Sequence, residues 1–110
     1  MAASDYCIVT VTTDSYDNAT RITQTLLEKK LVACVQSHNI QSTYRWQGKM
    51  IDTKEIHLNL KTKVSLFNEI KMLILELHTY DVPEILMFRC NEGNRDYFQW
   101  IEKETQKTKG

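Results

Sequence analysis

The side chains best suited to metal or nucleophilic chemistry are His38, His57, His78, Cys7, Cys34 and Cys90. His78 stands where an apolar helical stripe ends, just before Thr79-Tyr80-Asp81. There it could ligate a metal or, as a partial cation, cap the last carbonyls of the helix, and an isolated histidine favours the cap. His57 alternates with Glu55, Asn59 and Lys61 on the polar side of a strand. That side is solvated by default and becomes a cleft only where a second subunit packs against it. His38, between Ser37 and Asn39, reads as a loop residue. The cysteines sit in apolar, β-branched surroundings, where a free thiol is usually inert core. Neither a C-x-x-C nor a paired-histidine spacing occurs, so a zinc site built by one chain is not expected.

The same scan excludes several function classes. P-loop, G-x-G-x-x-G, H-E-x-x-H and G-x-S-x-G motifs are all missing. No nucleophile, base and oxyanion hole can be assembled, so the expectation is a binding protein, not an enzyme. Lysine plus arginine (14) balance aspartate plus glutamate (14), which leaves no excess charge to hold nucleic acid or an anionic membrane. The N-terminal residues lack a basic and an apolar signal region, and an odd number of scattered cysteines argues against a disulfide framework. A cytoplasmic protein without membrane contact is therefore expected.

Positioning these residues is the work of elements whose periodicities are clear. Tyr6 to Thr12 form a strand that is apolar on both faces, hence central. Asp14, Ser15 and Asp17 offer caps for a helix whose stripe is Ala19, Ile22, Leu26 and Leu27, closed by Lys29 and Lys30. A second strand starts at Leu31 to Ser37 and resumes through Ile40, Ser42, Tyr44 and Trp46. Trp46-Gln47-Gly48-Lys49 reads as a hairpin turn, with Gly48 free to take positive φ. In the partner strand Ile56, Leu58, Leu60 and Thr62 face one way and Glu55, His57, Asn59 and Lys61 the other. Ser65 caps a second helix with the stripe Leu66, Ile70, Leu73, Ile74 and Leu77. Pro83 ends the following loop. Ile85 to Phe88 form a strand apolar on both sides, read as covered on both. Tyr97, Trp100 and Ile101 stripe a short C-terminal helix. The reading is α+β: a ferredoxin-like βαββαβ antiparallel sheet with two helices on one face, a long hairpin and a terminal helix. It forms one domain over residues 1–103, and a polar tail over 104–110 is expected to be disordered.

One mismatch in length points beyond the single chain. The first helix spans about 20 Å, whereas the strand from Met50 to Thr62 reaches about 40 Å. The ribbon tip, with Ile40, Tyr44, Trp46, Met50 and Ile51, should therefore overhang the helical layer. A bare two-stranded ribbon with aromatic residues is poorly stable alone, so other subunits are expected to cover it in a closed ring.

Five segments in order resemble the CutA divalent-cation tolerance family: Leu26 to Val35, Tyr44 to Lys49, Leu60 to Thr62, His78 to Ile85 and Asp96 to Ile101. The resemblance implies a homotrimer in which long hairpins pair across subunits. It also implies an architecture similar to PII signalling proteins and a role in tolerance to divalent metals such as copper. Animal relatives are linked to anchoring of acetylcholinesterase, which makes a scaffold for an unidentified protein partner, or a PII-like small-ligand sensor, the alternative roles. In the family, residues at the positions of Trp46, Lys61, Tyr80, Pro83, Glu84 and Tyr97 line clefts between subunits. Bacterial members bind copper through a cysteine and two adjacent histidines. Here only His78 matches, with Val11 and Leu77 at the other positions, so weak copper binding is what the resemblance implies.

Overall fold

The structure is a computed structural model that describes residues 2–107. Its strands are β1 (Tyr6–Thr13), β2 (Cys34–Trp46), β3 (Lys49–Lys63) and β4 (Ile85–Arg89); its helices are α1 (Tyr16–Glu28), α2 (Phe67–Leu77) and α3 (Arg95–Glu104). The sheet order is β2-β3-β1-β4, antiparallel throughout, which is the ferredoxin-like arrangement expected from the periodicities. β1 is central, paired on both sides. Among the capping candidates it is Ser15 whose side chain accepts from the Asn18 N–H and starts α1. Ser65 is not the cap of α2: it lies in a 3-10 turn, and the N-cap residue is Leu66, without a side-chain hydrogen bond.

α1 and α2 cover the face that presents Cys7, Val9 and Val11 of β1 and Ile56, Leu58 and Leu60 of β3. Ile22, Leu26, Ile70 and Ile74 close this core, all without solvent exposure. Burial of each such side chain contributes about 1.5–3 kcal/mol. Leu31 and Val32, expected at the start of the second strand, are buried in the connection before β2.

The opposite face is covered at its Tyr6 end by α3 and, around Glu55, by Tyr80 from the loop between α2 and β4. The buried residues of α3 are Phe98 and Ile101, while Tyr97 and Trp100 lie tilted against one another at 5.6 Å and stay 40% exposed each. The stripe read from sequence was thus rotated by one residue, because Tyr6 offers its ring to Phe98 (centroids 4.8 Å apart) and not to Tyr97. Gly93 makes room for that ring: a Cβ there would sit 2.6 Å from it. Glu102 then accepts from the Tyr6 hydroxyl at 3.0 Å and from the buried Lys63 ammonium at 2.8 Å. The tail expected from Glu104 is held at its start. Thr105 is buried and Gln106 binds the carbonyls of Lys29 and Lys30, since those carbonyls are left open where α1 ends. Residues 108–110 lie outside the described residues.

The Lys63 ammonium, then the Tyr6 hydroxyl, lower the Glu102 carboxyl from its ordinary value against the opposing effect of burial. A carboxyl depressed in the folded state stabilises above its unfolded value near 4.5 and loses that contribution as pH falls through the folded value. Glu102→Gln is therefore expected to cost about 0.5–1 kcal/mol at neutral pH, since water screens the half-exposed carboxylate and the amide keeps one oxygen to accept from Lys63 or Tyr6. The gap from wild type should close toward pH 3 in urea titrations; a pH-independent gap would contradict the charge argument.

Candidate functional site

The hairpin does project. Gln47 and Gly48 both take positive φ (51° and 79°), the two-residue turn whose twist matches the strands it joins. Pairing continues to Trp46 opposite Lys49, and the molecule measures 45 × 26 × 23 Å. The radius of gyration is 14.7 Å, against about 13 Å for a compact chain of this length. Met50 is 78% exposed at the tip. The arm is not folded home onto its own chain.

Alternation along β2 and β3 puts Ser42, Tyr44, Trp46 and Glu55 on the face away from α1 and α2, the face that Thr12 of β1 shares. The loop between α2 and β4 crosses beside them. Together they enclose a cleft of about 570 Å³ lined by Thr12, Ser42, Thr43, Tyr44, Trp46, Glu55 and, from the loop, Tyr80, Asp81, Val82 and Glu84. Two hydrogen-bonded residues fix the loop. Nε2 of His78 lies 2.7 Å from the Thr12 carbonyl, and Nδ1 accepts from the Tyr80 N–H at 3.0 Å. Nε2 must then carry the proton, so neither ring nitrogen has a lone pair free for a metal. The Tyr80 hydroxyl donates to Glu55 Oε2 at 2.8 Å. Burial, then this hydrogen bond and the charges of Glu55 and Asp14, hold the Tyr80 phenol protonated far above its ordinary range.

Of the six expected cleft residues, Trp46, Tyr80 and Glu84 line this cleft, and half-buried Pro83 lies in its loop without lining it. Lys61 and Tyr97 do not join them. Lys61 is six residues from Glu55 along β3, about 20 Å away, opposite Cys34 of β2. Tyr97 lies near Cys34 and Cys90, and its phenol is raised chiefly by burial and then by those two thiols. The expected residues thus form two groups at opposite ends of one sheet face.

Glu55 is the residue whose burial alternation did not show. It belongs to the polar side of β3 as expected, yet it is only 8% exposed because Tyr80, 25 residues later, closes over it. Thr12, Ser42 and Asp81 were also missed; the strand parity shared by Thr12, Ser42 and Glu55 was the available signal. His38 is in β2 and not in a loop, edge-on to His57 at 5.1 Å, and His57 Nε2 is 4.0 Å from Glu84 Oε2. Among the described residues no three histidine, cysteine or acidic side chains are grouped to hold a metal ion. Cys7 is core, its thiol pushed up to about 12 by burial, and none of the three cysteines is in a disulfide. Among the described residues no helix is long and apolar enough to cross a membrane.

β4 departs from expectation in a way that matters. Ile85 and Met87 pack on the helical core, but Leu86 and Phe88 are 50% and 55% exposed on the other side. Sequence read this strand as covered on both sides; in the single chain one side is bare, because α3 reaches only the Tyr6 end of that face.

Comparison with known proteins places this architecture. The sequence profile described as "CutA1 divalent ion tolerance protein" matches residues 7–104. The divalent-cation tolerance protein CutA of Pyrococcus horikoshii is 38% identical over 91% of this chain and 98% of its own length. The Thermus thermophilus protein of the same description is 37% identical over 89% and 96%. The crystal structure of the Pyrococcus horikoshii protein superposes with a TM-score of 0.88, covering 92% of this chain and 99% of that one at 37% identity. The Archaeoglobus fulgidus structure, described as a periplasmic divalent cation tolerance protein, gives 0.89 at 31% identity over 92% and 99%.

Proposed function

The chain belongs to the CutA1 divalent ion tolerance protein family, and from that premise we propose that it acts as a homotrimeric binding protein in divalent-metal tolerance. It is not an enzyme on this reading. Its ligand sites are the clefts that form where the Trp46–Tyr80–Glu84 end of one sheet face meets a neighbouring copy. The observation that carries the reading is the bare sheet face. Leu86 and Phe88 are half exposed there, and the ribbon with Tyr44 and Trp46 extends past the helices without cover. Burying these residues against other copies removes both the apolar patch and the ribbon's exposed edge. The separation of Lys61 and Tyr97 from the other cleft residues supports the same reading, since residues at opposite ends of one face can meet only between chains.

The role in metal tolerance then belongs to the assembly and its clefts and not to a tight copper centre, because both nitrogens of His78 already hold the loop. Three unpaired thiols suit a reducing compartment, and we place the protein in the cytoplasm on that ground. Light scattering of the purified full chain at micromolar concentration is expected to give a mass of three chains. A mass of one chain would end the shared-cleft reading.

A further inference from the structure

We propose that His38 and His57 form a two-imidazole chelate for a divalent transition-metal ion of the zinc or nickel kind, with Glu84 held to the ion through water. The inference deepens the proposed function: it rests on the divalent-metal reading and names side chains that take the ion. These residues are separate from His78, whose two ring nitrogens are already engaged.

Register is the first ground. His38 of β2 stands directly opposite His57 of β3, so their Cβ atoms rise from one face of the sheet about 4.5–5.5 Å apart. The ring centres are 5.1 Å apart. Two imidazoles on one ion, each bonded at about 2.1 Å, hold their centres roughly 4.5–5.3 Å apart for bond angles between about 90° and 110°. The spacing fits a shared ion without any movement of the backbone. Both ligands belong to one hairpin, so the pair is complete in a single chain, and assembly affects only what fills the ion's remaining positions.

Open lone pairs are the second ground. Neither ring makes a hydrogen bond among the described residues. His57 Nε2 lies 4.0 Å from Glu84 Oε2, too long for a hydrogen bond but close enough for a water on the ion to reach the carboxylate. The rings meet edge to face, with 77° between their planes. Turning the imidazoles about the bond to each ring, a torsion with broad minima, brings a nitrogen of each into the gap. On the same face the pair is flanked by Gln36, Ile40, Glu55, Asn59 and Thr12, none of them basic, so no flanking side chain repels a cation.

The ligands also select the ion. Imidazole suits zinc, nickel and copper, whereas calcium and magnesium take oxygen ligands. No third histidine, cysteine or acidic side chain is grouped with the pair among the described residues, so water completes the coordination and the affinity is moderate.

Calorimetric titration of the full-chain protein with nickel chloride at near-neutral pH tests this. One saturable ion per chain is expected. His38→Asn and His57→Asn should each weaken binding roughly tenfold or more, since the second bond of a chelate forms at high effective concentration. The double variant should bind no more weakly than either single one, because the two rings act as a unit. Glu84→Gln should weaken binding about threefold, as fits a partly screened charge, and Cys34→Ser should bind as the parent does. Acidification to about pH 5 should abolish binding, because the ligands must be deprotonated. His38 is exposed, so His38→Asn decides the matter if His57→Asn does not fold. The proposal is overturned by no saturable binding, by unchanged affinity in His38→Asn, by loss of binding in Cys34→Ser, or by magnesium competing at equal concentration. Light scattering on the same samples separates the two readings: a mass of three chains without nickel uptake sinks the ion site alone, whereas a single chain that takes up nickel sinks the assembly alone.

Discussion

Replacing Phe88 with aspartate is expected to turn the proposed trimer into folded single chains. Phe88 lies on the bare side of β4, opposite Ile8 in the register and two residues from Leu86. In the free chain its ring is 55% exposed and takes no part in the helical core. The substitution should therefore leave the monomer fold almost intact, with stability changed by about 0.5 kcal/mol or less. In an assembly the same position is desolvated, and a carboxylate left there without a partner costs several kcal/mol in each copy. In the proposed trimer three copies would meet around one axis, so the cost would be repeated and the charges would also repel. Light scattering should show the mass falling to one chain while the far-ultraviolet circular dichroism is unchanged. Met72→Asp, at a position 70% exposed on α2, is the control and should keep the mass of three. A Phe88→Asp protein that still weighs three chains would move the interface off this face.

That experiment depends on a feature the sequence showed in a particular way. The run Ile85-Leu86-Met87-Phe88 has apolar residues of both parities, and such a pattern states only that both sides are covered. It cannot say by what. The pattern of β3 was more informative, because strict alternation from Glu55 to Thr62 fixes which residues meet the helices. With Gly48 it also fixes the hairpin register, and Trp46 does pair with Lys49. Local rules thus reached the sheet, both core helices and the hairpin. They failed where a distant residue decides the outcome. Glu55 is buried by a tyrosine from another loop, and Phe98 faces inward because Tyr6, at the other end of the chain, supplies a ring to stack on.

The candidate site was legible to a similar degree. Resemblance supplied Trp46, Tyr80 and Glu84, which share one cleft, and also Lys61 and Tyr97, which lie at the far end of the face. No periodicity could separate these groups, since their separation is a matter of position along β3 and of which end α3 covers. His78 illustrates the same limit. Its place at a helix end suggested a cap or a ligand, and only the return of the loop past β1 reveals that it bridges the Thr12 carbonyl and the Tyr80 amide. The loop that walls the cleft is held by that imidazole and by the Tyr80–Glu55 hydrogen bond.

If the helical layer is the cooperative core of the single chain, Leu60→Ala should be among its most damaging substitutions. Leu60 has no solvent exposure and sits in the third strand between Val9 of β1 and Val35 of β2. Its side chain belongs to the cluster that includes Leu26, Ile70 and Ile74. Truncation removes transfer free energy and leaves a cavity that a sheet paired on both sides cannot close, so the loss should be about 3–4 kcal/mol. Assembly would mask part of this, because association stabilises the folded chain by mass action and makes the midpoint depend on concentration. The measurement therefore belongs in the Phe88→Asp background, where urea unfolding reports one chain and a two-state analysis applies. Met72→Ala in the same background removes a similar volume from an exposed position and should change stability by about 0.5 kcal/mol or less. A loss below about 1 kcal/mol for Leu60→Ala, well under the range for buried leucines, would mean that the sheet is held chiefly by its neighbours in the assembly. The isolated chain would then have no independent core from which to project its hairpin.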